Sequence, residues 1–379
     1  MKIAQISPLI ESVPPRLYGG TERVVAYLTE ELVRQGHEVT LFASGDSNTS
    51  AELIPCCKQA LRLDPAARDH LPYHVAMLEQ VKRAAHRFDI LHFHADFIHF
   101  PVFSGTPHVT LTTLHARQDS FELRHLYRAF PTMPLVSISE AQRAPIPGAN
   151  FAGTVLHGLP KGLLPARDVA GGGYLAFLGR ISPDKRLDRA IEIAQASGLP
   201  LKIAAKIDRA DQAYFTECIA PLLNTGGVEF VGEIDERQKA SFLGNARALL
   251  FPIDWPEPFG LVMIEAMACG TPVLAFNCGS VPEVIDQGVT GIVVDTVREA
   301  IGALNAVLAL DRRRIRRRFE QRFTAQRMAS DYVRLYELQM AARSSAPIAT
   351  PRRSRPILKV VPGRAEPPPP LTASAVDRT

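Results

Sequence analysis

Short apolar runs of β type alternate with helical patterns along most of this chain, and the alternation begins twice. It opens with KIAQIS, TERVVAYLTEELVRQG and HEVTLFAS, with Gly36 at the helix stop, and continues through DILHFH, PHVTLTTLH, PLVSIS and FAGTVLHG. After RDVAGGG it restarts with YLAFLG, DRAIEIAQASG, LPLKIAAK, QAYFTECIAPLLN and GVEFVG, then ERQKASFLGNA, RALLFP, LVMIEAMACG, TPVLAF and TGIVVD. Strands that alternate with helices build parallel sheets covered on both faces, so two α/β units are predicted. Length agrees, because 379 residues exceed one ordinary core of about 150 residues. The glycines Gly171, Gly172 and Gly173 suit a hinge, which places a first domain at 1–168 and a second at 169–311.

Residues 312–341 read as one amphipathic helix, with Phe319, Phe323, Met328, Tyr332 and Leu335 as its core contacts. The stretch 342–379 is rich in proline and basic residues and is expected to be disordered. Charge is uneven: residues 312–379 hold 16 Lys and Arg against 5 Asp and Glu, whereas the rest holds 27 against 34. The body is therefore acidic, and it lacks the broad basic face of a nucleic-acid binder. Five cysteines without a C-x-x-C pair argue against a disulfide framework. MKIAQISPL is too short and polar for a secretory signal, and no apolar run approaches the roughly 20 residues that span a bilayer. A cytoplasmic chain is expected, and the RRRIRRR run at 312–318 is either a solvated face or a peripheral contact with anionic lipid.

The stretch WPEPFGLVMIEAMACGTPVLA, residues 255–275, carries the most chemistry. Glu257 and Glu265 stand eight positions apart across a proline-rich loop and the first turns of a helix. Pro256 and Pro258 hold Glu257 in extended backbone, while Phe259, Gly260 and Leu261 present unpaired N–H groups where the helix begins. A helix start attracts phosphate, and carboxylates accept hydrogen bonds from hydroxyls, so sugar, diphosphate and ribose in a row describe a nucleotide sugar. Two glutamates are by themselves ordinary surface charges, but Glu265 lies in an apolar helix and needs a partner there.

This string resembles the retaining GT-B glycosyltransferases of family 4, whose signature is a Glu pair within E-P-F-G-L-x-x-x-E-A-M-A-x-G-x-P-V. The resemblance runs from Met1 to about Gln339, strongest between Leu175 and Val294 and loosest between about Ser50 and His115. It implies a GT-B fold, two Rossmann-like domains facing across a cleft, with the closing helix returning to the first domain. It also implies transfer of a hexose-type sugar from a UDP- or GDP-sugar to a glycan, lipid-linked or small-molecule acceptor. No cofactor and no metal are implied, and the chain contains no D-x-D. A GT-B epimerase or phosphorylase is the alternative.

The resemblance assigns residues to roles. Gly19 and Gly20 stand in a turn too long for a dinucleotide fingerprint, and the family uses such a pair to bring backbone near the donor. Gly179, Arg180 and Lys185 follow the first strand of the second half, where a guanidinium fork and a mobile ammonium suit two phosphates. His115 ends PHVTLTTLH and positions the sugar, although Ala116 replaces the family glycine. Glu233 and Ile234 frame the base, while Phe259, Gly260 and Leu261 meet phosphate. Glu257 orients sugar hydroxyls and Glu265 holds ribose. His157 stands where the family has Asn before Gly158.

A rival reading starts from HFHADFIH, because His92, His94 and Asp96 have the H-x-H-x-D spacing of di-metal hydrolases. That pattern continues with His directly after the Asp, and this chain has Phe97 there. Satisfied polar side chains at a strand end are the better expectation.

Overall fold

The computed structural model describes residues 1–16, 19–168 and 172–345. Tyr18, the hinge glycine Gly171 and the tail from residue 346 onward lie outside the described residues. The first half is built on β1 (Lys2–Ile6), β2 (Glu38–Ser44), β3 (Glu52–Cys57), β4 (Ile90–Phe93), β5 (Thr110–Thr113), β6 (Leu135–Ser137) and β7 (Phe151–Thr154). Their order in the sheet is β3-β2-β1-β4-β5-β6-β7. The second half holds β8 (Leu175–Arg180), β9 (Leu201–Lys206), β10 (Val228–Gly232), β11 (Ala248–Phe251), β12 (Val273–Phe276) and β13 (Gly291–Val294), ordered β10-β9-β8-β11-β12-β13. Every pairing is parallel.

The central strands are buried on both faces because helices cover both. Ile3, Ala4 and Ile6 of β1 are fully buried, and so are Ala248 and Leu249 of β11. Each sheet reverses its order once, between β1 and β4 and between β8 and β11. Crevices at such reversals, outside the strand carboxyl ends, are where open parallel sheets bind ligands.

Two segments depart from the simple alternation. ELIPCC is a strand, which Pro55 disguises, and the strand tolerates proline because β3 is the edge of its sheet. QAYFTECIAPLLN is not one α-helix: a π turn at Phe215–Ile219 separates Gln212–Tyr214 from Ala220–Leu223, next to Pro221, which has no N–H to donate.

The segment expected as one closing helix is two, Arg312–Arg322 and Ala325–Ser345. The break has a cause. Leu159 donates its N–H to the Phe323 carbonyl at 2.9 Å and accepts from the Ala325 N–H at 2.8 Å, so a strand-like pairing replaces helical turns where the chain crosses between halves. Phe319 and Phe323 are buried in the second half beside Met267, while Met328, Tyr332 and Tyr336 are buried against Ile3, Val24, Leu28 and Leu111 of the first. Burial of each such side chain stabilises by roughly 1.5–3 kcal/mol. Leu335 is only half-buried, and Tyr336 is the core residue that helical periodicity missed.

Much of the basic run at the start of this segment faces inward. The Arg312 guanidinium donates to the carbonyls of Arg167, Ala246 and Gly244 at 2.9, 3.0 and 2.8 Å and to the Thr271 hydroxyl at 2.8 Å. Arg316 donates to the carbonyls of Leu164, Lys161 and Ala268, and Arg318 pairs with Asp286. These three arginines are held by neighbouring elements, whereas Arg313, Arg314 and Arg317 of the same run are exposed. No described helix is long and apolar enough to cross a membrane.

Candidate active site

A cavity of about 500 Å³ opens between the two halves, beyond the carboxyl ends of β1 and β8. It is lined by Gly19, Gly20 and His115 from the first half, and by Gly179, Arg180, Lys185, Glu233, Ile234, Glu257, Phe259, Gly260, Leu261 and Glu265 from the second. The structure thus brings into one place all of the residues to which the resemblance gives a part in the donor site, whereas His92, His94 and Asp96 do not line the cavity.

Two helices point their starts at this cavity. The helix Gly20–Arg34 begins after Gly19 and the helix Leu261–Ala268 begins after Gly260, and neither has a capping side chain. Their first N–H groups and dipoles are left for an anion. Gly260 has φ 79°, a left-handed conformation that lets the chain turn sharply from the proline loop into the helix. The loop is pinned from below: the Ser280 N–H donates to the Glu257 carbonyl at 2.9 Å. A Cβ on Gly279 would lie 2.4 Å from the Glu257 backbone, so only glycine fits there.

Both glutamates are buried and both have found a lysine. Glu257 Oε2 forms an ion pair with Lys185 Nζ and accepts a hydrogen bond from Trp255 Nε1 at 2.9 Å. Lys185 Nζ also lies 4.5 Å from the centre of the Trp255 ring, a cation–π contact. Glu265 Oε1 accepts from Lys239 Nζ at 2.7 Å. Lys239 lies 3.6 Å from Glu236, which pairs with Arg23 of the opposite half. A chain of alternating charges therefore crosses the cleft from Arg23 to Glu265. Lys185, expected to be directed at phosphate, is engaged with a carboxylate expected to meet sugar. Lysine has three donors, so the pair can hold a hydroxyl and a phosphate oxygen together.

Arg180 extends from the end of β8 among three carboxylates, with Asp211 at 3.4 Å, Asp208 at 3.6 Å and Asp184 at 3.8 Å. These pairs are long for charge-assisted hydrogen bonds, which leaves the planar fork able to turn to a phosphate. Lys206 ends β9 in register with Arg180 and also lines the cavity, as do Arg62 and Arg23.

On the first-half wall, His115 Nε2 lies 2.9 Å from His94 Nδ1, and its ring stacks on His157 with centroids 5.3 Å apart. His157 packs edge-on against Phe259, at 4.9 Å. Burial pushes the His115 imidazole down to about 3, and burial also holds His94 and His157 well below the usual imidazole range. These rings are neutral at physiological pH. The H-x-H-x-D trio does not present a ligand set: His92 meets Tyr336 and Thr113, each at 2.8 Å, and His94 meets Gln5 at 2.7 Å and His115. Each ring of the pair has both nitrogens occupied, leaving none for a metal.

Sequence reasoning missed Glu22, Arg23, Arg62, Lys206, Lys239 and Trp255, all of which line the cavity. Lys206 was within reach, since it occupies on β9 the position that Arg180 occupies on β8. Trp255 directly precedes the Glu257 loop. Nothing local joins Lys239 to Glu265, and Arg62 comes from a 3-10 turn between elements.

Two family profiles match the halves in turn: "Glycosyltransferase Family 4" over residues 18–142 and "Glycosyl transferases group 1" over 169–323. The chain belongs to the GT-B group 1 glycosyltransferases. It is 25% identical to a glycogen synthase of Mycobacterium tuberculosis, covering 84% of this glycosyltransferase and 89% of the relative. It is 26% identical to a phosphatidyl-myo-inositol mannosyltransferase of Propionibacterium freudenreichii, over 77% and 81% of the two chains. Among solved structures, Anabaena HepE in complex with UDP and glucose superposes with a TM-score of 0.67 at 19% identity, covering 89% of this glycosyltransferase and all of that chain. That likeness is one of fold: two Rossmann-like domains facing across a cleft.

Proposed function

We propose that this glycosyltransferase moves a hexose-type sugar from a UDP- or GDP-sugar to a glycan, lipid-linked or small-molecule acceptor, with retention at the anomeric carbon and without a metal ion. The supporting observation is the convergence, in one cavity, of two uncapped helix starts with the buried pair Glu257 and Glu265. Positive dipoles and cations suit a diphosphate, and flanking carboxylates suit the hydroxyls of a sugar on one side and a ribose on the other. HepE, solved with UDP and glucose, has the same fold. The relatives named for glycogen and for phosphatidyl-myo-inositol support a glycan or lipid acceptor.

In this reading the second half, 169–311, carries the donor, and the first, 1–168, faces the acceptor. Arg180 and Lys185 neutralise the diphosphate and stabilise the departing nucleotide as charge develops on it. Phe259, Gly260 and Leu261 offer backbone N–H groups to the same phosphates. Glu257 orients the sugar, Glu265 holds the ribose, and Glu233 and Ile234 frame the base. Gly19, Gly20 and His115 close the site from the opposite wall. The acceptor attacks on the face from which the diphosphate leaves, and closure of the halves keeps water out.

The test is a thermal-shift panel of UDP-, GDP- and ADP-sugars, with and without EDTA, followed by the anomeric configuration of any product. A donor at 100 times its dissociation constant stabilises the fold by about 2.7 kcal/mol. Stabilisation by one sugar nucleotide that survives EDTA, with retained configuration, is the expected result. An inverted product or loss of transfer in EDTA would remove the corresponding part of the proposal.

A further inference from the structure

A buried chain of polar side chains ends at His115. Its innermost members are Tyr332 and Tyr336 of the closing helix, and it continues through Thr113, His92, Gln5 and His94. Gln5, His92 and His94 are essentially without solvent contact, and the neutral imidazoles each carry one proton, so one nitrogen donates and the other accepts. Donor directions along the chain are then linked.

We propose that Gln5, acting through His94, holds His115 as the tautomer protonated at Nε2, so that Nδ1 offers the cavity an acceptor for a sugar hydroxyl. The inference rests on the reading of the cavity as a nucleotide-sugar site and adds how its sugar end is recognised. Gln5 Nε2 donates to the Tyr336 hydroxyl at 3.2 Å and lies 3.4 Å from His92 Nδ1, which turns the other end of the carboxamide, Oε1, toward His94. Oε1 lies 2.7 Å from His94 Nε2, and a carbonyl oxygen only accepts, so His94 Nε2 carries the proton. His94 Nδ1 is then an acceptor, and the proton shared across its 2.9 Å contact belongs to His115 Nε2. His115 Nδ1 is left with a lone pair and has no hydrogen-bond partner among the described residues, while the ring lines the cavity. His157 stacks on the same ring, with the two planes 18° apart.

Gln5 is thus a positioning residue that never touches the ligand. It is also the point where the closing helix, through Tyr336, communicates with the cavity wall.

Long-range ¹H–¹⁵N spectra of the full chain at pH 7.5, with the His115 signals identified by their loss in His115→Asn, read the tautomer directly. The expected spectrum has His115 protonated at Nε2 and bare at Nδ1; a protonated Nδ1 overturns the proposal. In Gln5→Met the acceptor for His94 is gone, and His115 is expected to exchange between tautomers. Binding of UDP-glucose relative to UDP, or of GDP-mannose relative to GDP, then weakens about five- to tenfold, as for loss of one hydrogen bond, while the nucleoside diphosphates bind as before. Gln5→Glu keeps an acceptor oxygen and is expected to restore both the spectrum and the ratio, which a merely structural role would not do. An unchanged ratio alongside an altered spectrum overturns the recognition role. Should Gln5→Met not fold, the spectra of the unaltered chain and of Gln5→Glu still decide the tautomer. If no sugar nucleotide binds, the donor reading fails separately, and the spectrum still decides whether Gln5 sets the proton on His115.

Discussion

Lys239 Nζ and Glu265 Oε1 are 2.7 Å apart, with both side chains largely shielded from solvent. The carboxylate sits in an apolar helix, where a buried charge needs a counter-ion, and this lysine supplies one. Lys239→Met leaves the charge buried without a counter-ion and is expected to lower stability by about 3 kcal/mol in urea unfolding. Lys239→Met combined with Glu265→Leu should be more stable than Lys239→Met alone. If the double variant is the worse of the two, the pair is not the burden that its burial suggests.

Glu265→Gln keeps the shape of the side chain and removes its charge. It is expected to weaken UDP or GDP binding by roughly tenfold, the size of one charge-assisted hydrogen bond. Calorimetric titration measures this directly, and unchanged affinity would remove Glu265 from the ribose.

Arg180→Ala should reduce transfer by about 10- to 100-fold, whereas Arg314→Ala, an exposed residue of the basic run, should leave it unchanged. Initial rates with a soluble acceptor distinguish the two. Equal losses would mean that general surface charge, not the fork at the end of β8, serves the reaction.

What was readable beforehand follows a pattern. Cavity-lining residues placed by local spacing were legible: Glu257 and Glu265 flank a loop and helix start that the PEPFGL string itself dictates, and Arg180 and Lys185 stand at or just beyond the end of a strand whose apolar run is unmistakable. Residues that work through partners far along the chain were not. Lys239 reaches Glu265 from another helix, Gln5 on β1 reaches His94 at the end of the neighbouring β4, and Arg312 caps carbonyls of three separate segments. The fold was legible for the same reason, because alternation is local. The break at Phe323 was not, since Leu159 imposes it from a distant segment. Of the basic run, Arg313, Arg314 and Arg317 are exposed, while Arg312 and Arg316 turn inward to carbonyls on which composition is silent.

Arg312 tests that last point. Its guanidinium satisfies carbonyls at the ends of neighbouring elements, and lysine cannot reproduce a planar fork. Arg312→Lys is therefore expected to destabilise by about 2 kcal/mol and Arg312→Ala by more, through buried carbonyls left unpaired. Chemical denaturation measures both, and a fully tolerated Arg312→Lys would show that charge alone suffices at this position.

The buried histidines make a final prediction about acid. His92, His94, His99, His115 and His157 are all held below their ordinary value, chiefly by burial, with His99 and His115 at about 3. In the unfolded chain they titrate near about 6.5, so between that pH and about 3 the unfolded state binds more protons than the native one. Stability is therefore greatest above about pH 6.5 and falls as pH drops through this window. Between pH 7.5 and 5.5 each such histidine lowers stability by about 1 kcal/mol, so the set should lower it by on the order of 5 kcal/mol. Carboxylates with depressed values, such as Asp188 and Asp208, contribute their loss only at lower pH, whereas Glu11, Glu22 and Asp96, raised by burial, gain stability as pH falls and offset part of the histidine effect. Urea unfolding at the two pH values checks this, and a stability that rises toward pH 5.5 would mean that these imidazoles accept protons in the folded chain, contrary to their burial and their hydrogen bonds.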